Sequence, residues 1–143
     1  LAMATTVHVD IVSAEREIFS GPAEMVFAPA ILGEVGIAPG HTPLLTRLGP
    51  GEVRLKLEDS SESAFYISGG MLEVQPKNVT ILSDTAERAE DLDEAAVVKA
   101  KEAAERALTD GDAAIDYAKA RAELAETVAQ LQTIQRLRRR AGR

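Results

Sequence analysis

The chain has 143 residues, a formal net charge of −7 and 45% hydrophobic residues, enough for one domain, or one small domain with an appendage, around a real core. It contains no cysteine and no tryptophan, and aromatic residues make up 3%. This excludes disulfides, thiolate catalysis and cysteine metal sites, and makes a base-stacking platform for nucleic acid a poor first expectation.

The first patterned segment is "TVHVDIV", in which Val7, Val9 and Ile11 alternate with polar residues as in a half-buried strand. His8 falls on its polar side, where an ordinary surface histidine is expected. "GEVGIAPGHTPLL" follows as an organised loop, because Gly33, Gly36 and Gly40 open backbone torsions that Pro39 and Pro43 then restrict. His41 is held inside that loop, as turn chemistry or as an interface handle. Two more alternating segments, "EVRLKL" with Val53, Leu55 and Leu57 and "NVTILS" with Val79 and Ile81, read as strands. The intervening "SGPAE", "LGPGE", "LEDSSES" and "SGG" supply turns at the spacing of a sandwich or barrel. Residues 4–87 therefore read as an antiparallel β-sandwich domain.

The composition then changes. All six prolines lie at or before Pro76 and eight of ten glycines at or before Gly70, whereas Ala, Glu, Lys, Arg and Leu dominate from Ala86 onward and favour helix. Asp91 with Glu94 three residues later predicts a capped helix start near Leu92. Gly111 as a C-cap and Asp112 as a second N-cap predict a turn and a second helix over about 113–139. Residues 88–143 thus read as a two-helix antiparallel hairpin, and the fold class as α+β. At ~1.5 Å per residue the second helix runs to roughly 40 Å, longer than a small β domain needs for cover. It carries a small stripe (Ala114, Ala118, Ala122, Ala125, Ala129) and a bulkier one (Leu124, Val128, Leu131, Ile134). Either both pack within the protein, or one is kept for a partner.

Charge divides at the same place, −8 over residues 1–91 and +1 over 92–143. No acidic residue follows Glu126, while Arg136, Arg138, Arg139, Arg140 and Arg143 crowd the end. Such an end complements the helix dipole, or docks on an acidic protein surface or on phosphates. No histidine pair, HExxH segment or acidic calcium loop suggests a metal, and no glycine turn ends in a phosphate-cradling Lys-Ser/Thr. No catalytic residue, metal ligand or cofactor is expected.

"GEVGIAPGHTPLLT", "YISGGMLEVQPKNVTILSDTAERAEDLDEA" and "DYAKARAELAETVAQLQ" closely resemble the epsilon subunit of bacterial F-type ATP synthases, over about Val7 to Leu137. The resemblance implies a non-catalytic central-stalk subunit, peripheral on the cytoplasmic face of the bacterial inner membrane. Its sandwich would bind the gamma subunit and the c-ring and couple proton flow to ATP synthesis. Its hairpin would switch between compact and extended states, the extended arm reaching the alpha and beta subunits of the catalytic head and inhibiting ATP hydrolysis. Position by position, it implies a c-ring contact at Glu34 and gamma contacts at Ser13, His41, Thr46 and Ser68. Arg136, Arg138, Arg139 and Arg140 would oppose an acidic segment of the beta subunit. An adaptor whose basic hairpin binds another acidic protein is the alternative, and RNA binding through the arginines is a minor one.

Some members of that family bind ATP through an Ile/Leu-Asp-x-x-Arg-Ala motif and further arginines. Here Leu92 and Asp93 match, but Ala96 and Val97 occupy the last two places, and Val128 and Gln132 stand where second-helix arginines would be expected. The phosphate-facing cations are missing, so ATP binding at Asp93 is expected to be weak or absent.

Overall fold

The computed structural model describes residues 5–109 and 117–141. The chain divides after Arg88 into two compact units, one position beyond the limit read from composition.

The first unit is a β sheet of ten strands: β1 Val7–Ser13, β2 Glu17–Ala23, β3 Met25–Ala30, β4 Gly33–Ile37, β5 Leu44–Leu48, β6 Gly51–Lys56, β7 Glu62–Ile67, β8 Gly70–Val74, β9 Asn78–Ser83 and β10 Ala86–Arg88. Their order across the sheet is β10-β7-β6-β3-β5-β8-β9-β1-β2, with β4 attached to β3. The sheet curls until its ends meet. Phe19 on β2 packs edge-on against Phe65 on β7, ring centroids 5.7 Å apart, and Arg88 Nη2 on β10 donates to the Ile18 carbonyl on β2 at 3.4 Å.

The alternation seen in sequence is what fills the interior. Val7, Val9 and Ile11, Val53 and Leu55, and Val79 and Ile81 are all buried in one core with Phe65, Ile67, Leu72 and Val74. Side chains on a strand alternate between faces, so one apolar set points inward and the polar set is left outside.

Two local expectations are corrected. "GEVGI" is not loop but strand β4, paired with β3 from Val26↔Ile37 to Ala30↔Gly33. Ile37 is buried and Val35 packs on the core, and that burial outweighs the conformational freedom of two glycines. The turn proper lies between Ile37 and Leu44. The sheet is antiparallel except for one pair, β1 with β9, which run parallel from His8↔Asn78 to Ser13↔Ser83. Hydrophobic periodicity is blind to strand direction, so only closure of the sheet reveals this pair.

The second unit opens with a 3-10 turn, Ala89–Asp91, followed by helix α1, Glu94–Thr109, and helix α2, Tyr117–Ala141. The N-cap is Asp93 rather than Asp91. Its Oδ1 accepts from the backbone N–H of Ala95 at 3.1 Å and Ala96 at 3.3 Å, and a cap of this kind contributes about 1 kcal/mol. Asp91 is taken up by the 3-10 turn, so the helix begins two residues later than expected. The expected caps at Gly111 and Asp112 lie outside the described residues, as do 113–116 of the second helix.

Arg138, in the last turn of α2, donates from both terminal nitrogens to the carboxylate of Glu94 in the first turn of α1, which makes the hairpin antiparallel. Of the two stripes on α2, the bulkier one is the less exposed: Ile134 is buried and Leu124, Val128 and Leu131 half-buried. Ala118, Ala122 and Ala125 are exposed, Ala114 is outside the described residues, and Ala129 alone of that stripe is buried. Ala120, Thr127 and Thr133 share the buried side. The larger side chains gain more from leaving water and set the helix rotation. The two threonine hydroxyls bond back to carbonyls of their own helix, Thr127 to Leu124 at 3.0 Å and Thr133 to Ala129 at 2.9 Å, so their burial leaves no polar group unmet.

Candidate functional site

Glu34 sits on β4, two positions past the turn at Ile31 and Leu32, and its side chain is 49% exposed. Gly33, with φ 133°, completes that tight turn without a Cβ to resist it. The turn places Ile31 and Leu32 in solvent, Leu32 almost entirely, where hairpins normally carry polar or glycine residues. Arg54 on β6 donates from Nη2 to Glu34 Oε1 at 2.8 Å. On the way its guanidinium lies 4.5 Å from the centroid of the Phe27 ring. Behind it, Nε is 3.7 Å from Oε1 of Glu52, whose side chain is 1% exposed. Sequence reading missed Arg54. The signal available was the i, i+2 spacing of Glu52 and Arg54 on one strand face, but the partner stands 20 positions away.

The four residues matched to a gamma-facing surface do not form one cluster. Ser13 ends β1, where its Oγ accepts from the Arg16 N–H at 3.2 Å and donates to the Arg16 carbonyl at 3.1 Å. The parallel pairing sets Ser13 beside Ser83, and Ser83 Oγ lies 3.4 Å from Ser68 Oγ. Ser68 also accepts from the Thr85 N–H at 3.1 Å. Ser13 and Ser68 therefore come together at one end of the sheet, beside a shallow groove of about 330 Å³ whose lining includes Val12, Met71 and Leu82. His41 lies toward the other end of β8: its neighbour Gly40 donates to the Pro76 carbonyl at 2.9 Å. The His41 ring is turned inward on its own segment, Nδ1 donating to the Thr42 carbonyl at 2.7 Å. Thr46 lies between these ends, opposite Leu72. It is half-buried on the side of the buried Leu72, while its neighbour Leu45 is 68% exposed.

Among the arginines, Arg136 and Arg139 are exposed and Arg138 is engaged by Glu94. Asp93 is occupied as the α1 cap, Val97 is buried, and Gln132 is exposed.

One constellation outside these sets has the composition of a catalytic triad. His8 Nε2 is 3.1 Å from Asp10 Oδ1 and 3.2 Å from Ser20 Oγ, and Ser20 Oγ donates to Asp10 Oδ1 at 2.7 Å. A proton relay needs the acid on one ring nitrogen and the nucleophile on the other. Here a single nitrogen faces both, and the serine proton is directed at the carboxylate, so the trio is a cross-strand network of β1 and β2. Asp59 has its carboxyl held below the usual range by the hydroxyl and backbone N–H of Ser61, which is turn chemistry between β6 and β7. Among the described residues, no helix is long and apolar enough to cross a membrane.

The two units coincide with two family matches in tandem. Residues 6–89 match the "ATP synthase, Delta/Epsilon chain, beta-sandwich domain" and residues 90–135 the "ATP synthase, Delta/Epsilon chain, long alpha-helix domain". The ATP synthase epsilon chain of Nitrosococcus oceani is 64% identical over 140 residues, covering 98% of this chain and all of that one. That of Alkalilimnicola ehrlichii is 60% identical over 139 residues, covering 97% and 99%. In solved structures, a chain of the Euglena gracilis mitochondrial ATP synthase OSCP/F1/c-ring assembly shares the fold with a TM-score of 0.84 at 20% identity, over 94% of this chain and 84% of that one. A chain of the Tetrahymena thermophila mitochondrial ATP synthase central stalk and c-ring gives 0.60 at 13% identity, over 93% and 99%. With both family domains matched in order and close relatives spanning nearly its whole length, the chain belongs to the epsilon-subunit family of bacterial F-type ATP synthases.

Proposed function

We propose that this chain is the non-catalytic rotor subunit of a proton-translocating F-type ATP synthase, on the cytoplasmic face of the bacterial membrane. The sandwich joins the gamma subunit to the c-ring, and the helical hairpin restrains ATP hydrolysis by the alpha and beta subunits. The observation that carries this reading is the tandem match of both family domains to the two units of the fold. Glu34 serves the ring contact, and Ser13, His41, Thr46 and Ser68 the gamma contact. Arg136, Arg138, Arg139 and Arg140 engage an acidic surface of the catalytic head when the hairpin opens. Arg138 is shared between two uses: paired with Glu94 it closes the hairpin, and released it is available to the head.

The test is ATP hydrolysis by the cognate catalytic head stripped of this subunit, titrated with the full chain and with a truncation ending at Arg88. The full chain is expected to inhibit, and the truncation to bind without inhibiting. Binding of both with inhibition by neither would remove the restraining role, and binding of neither would overturn the assignment.

Asp93 caps a helix and lacks its basic companions, so it does not serve as a nucleotide sensor. Isothermal calorimetry of the isolated chain with ATP is expected to give no measurable heat of binding at micromolar concentrations, and a tight one-to-one isotherm would refute this.

A further inference from the structure

We propose that Arg54 is the positioning residue of the ring contact, fixing the Glu34 carboxylate in the direction from which it accepts hydrogen bonds. This rests on the assignment of Glu34 to that contact made above.

In the strand register Arg54 is opposite Phe27, and Glu34 is on the far side of β3, opposite Pro29. To reach Glu34 from β6, the Arg54 side chain must cross the intervening strand, and it does so over the Phe27 ring at 4.5 Å, the range of a cation–π contact. Gly36 helps to make this crossing possible: a Cβ there would sit 3.3 Å from Phe27 Cε1 and press on the ring that carries the guanidinium. The buried Glu52 carboxylate stands behind at 3.7 Å. The cation is thereby set by a ring beneath it, one carboxylate behind it and one ahead of it, contributed by three strands.

The half-exposed Arg54–Glu34 pair adds little to folding stability; the buried Glu52 accounts for a cation at this place, but not for its reach across β3 to Glu34. Its consequence is at Glu34. A half-exposed glutamate on a strand otherwise spreads over several rotamers, and freezing it on association opposes binding. With Oε1 already held at 2.8 Å on a side chain that is 49% exposed, Oε2 is the oxygen left to meet a partner. The negative charge is offset in advance, so the partner meets an acceptor of fixed direction rather than a bare anion. A polar loop presenting N–H or O–H donors is the surface this fits.

The test measures affinity of the gamma–epsilon pair for the isolated ring in detergent, with variants of this chain in the assembled pair. Arg54→Gln is expected to weaken binding about 5-fold through lost preorganisation, and Arg54→Lys less, since it keeps the charge without the planar fork. In the Glu34→Gln background, Arg54→Gln is expected to add nothing. Because Arg54→Gln also removes the cation beside buried Glu52, the series is repeated with Glu52→Gln and thermal melting is followed for each. If Glu34→Gln alone leaves affinity unchanged, the assignment of Glu34 fails and the proposal with it. If Glu34→Gln weakens binding while Arg54→Gln does not, Glu34 stands and positioning by Arg54 is overturned. Equal losses from Arg54→Gln in both Glu34 backgrounds would also overturn it, since Arg54 would then act without Glu34.

Discussion

Gly70→Ala is expected to leave the sandwich unfolded or to cost it more than about 3 kcal/mol, a large part of the stability of a small domain. Two independent penalties meet at this position. Its φ is +139°, a conformation closed to residues with a Cβ at a cost on the order of 1–3 kcal/mol. A Cβ there would also sit 1.9 Å from the Leu82 carbonyl oxygen. That oxygen is backbone of the next strand and has no rotamer to escape into. Gly70 starts β8, which pairs with β5 on one side and β9 on the other, so relief by backbone movement would cost both ladders. Gly33→Ala provides the control. Its φ is +133° but nothing lies within 4 Å of the added carbon, so only the torsional cost applies. Urea unfolding followed by far-UV circular dichroism separates the two. A Gly70→Ala midpoint no lower than that of Gly33→Ala would show that the close approach to Leu82 is not the constraint.

Phe65→Ala is expected to cost about 3–5 kcal/mol. The ring is fully buried and ties β7 to Phe19 on β2 at an interplanar angle of 61°. Arg88 covers its face, with Cζ 5.4 Å from the ring centroid. The loss is more than a cavity, because Phe65 and Phe19 are at the seam where the curled sheet closes. A double-mutant cycle with Phe19→Ala is expected to return a coupling of about 0.5–1.5 kcal/mol, the usual worth of an edge-to-face pair. Additive losses would mean that the seam is held by area alone.

The parts of this fold legible in sequence are those written in periodicity. β1, β6 and β9 have alternating apolar residues, and their inward sets are the buried ones. β4 was hidden because glycine lowers strand propensity, and the burial of Ile37 that decides the matter is a tertiary fact. β10 is three residues long, too short to carry a period. The α1 cap was misplaced between two aspartates two residues apart, because spacing to Glu94 favours Asp91 while the 3-10 turn that claims Asp91 has no spacing signature. The two stripes of α2 show a related limit: helical spacing names faces without saying which turns inward. Of the candidate site residues, Glu34, Ser13, Thr46 and Ser68 enter through family resemblance alone, while His41 is singled out by its Gly/Pro loop and only the resemblance assigns it to gamma. Arg54 was illegible because its partner lies across a whole strand, and no linear pattern links residues that meet only after pairing.

The parallel pairing of β1 with β9 also orders events during synthesis. Val9 finds its place beside Val79, so the first strand of the sandwich waits for the ninth. Until β9 has left the ribosome, the β1–β2 hairpin keeps the β1 edge that β9 will pair open and its apolar face uncovered. Contacts between such distant positions slow folding of β proteins to milliseconds or longer. The two helices lie C-terminal to all ten strands, so they emerge only after the sandwich has every strand it needs to close.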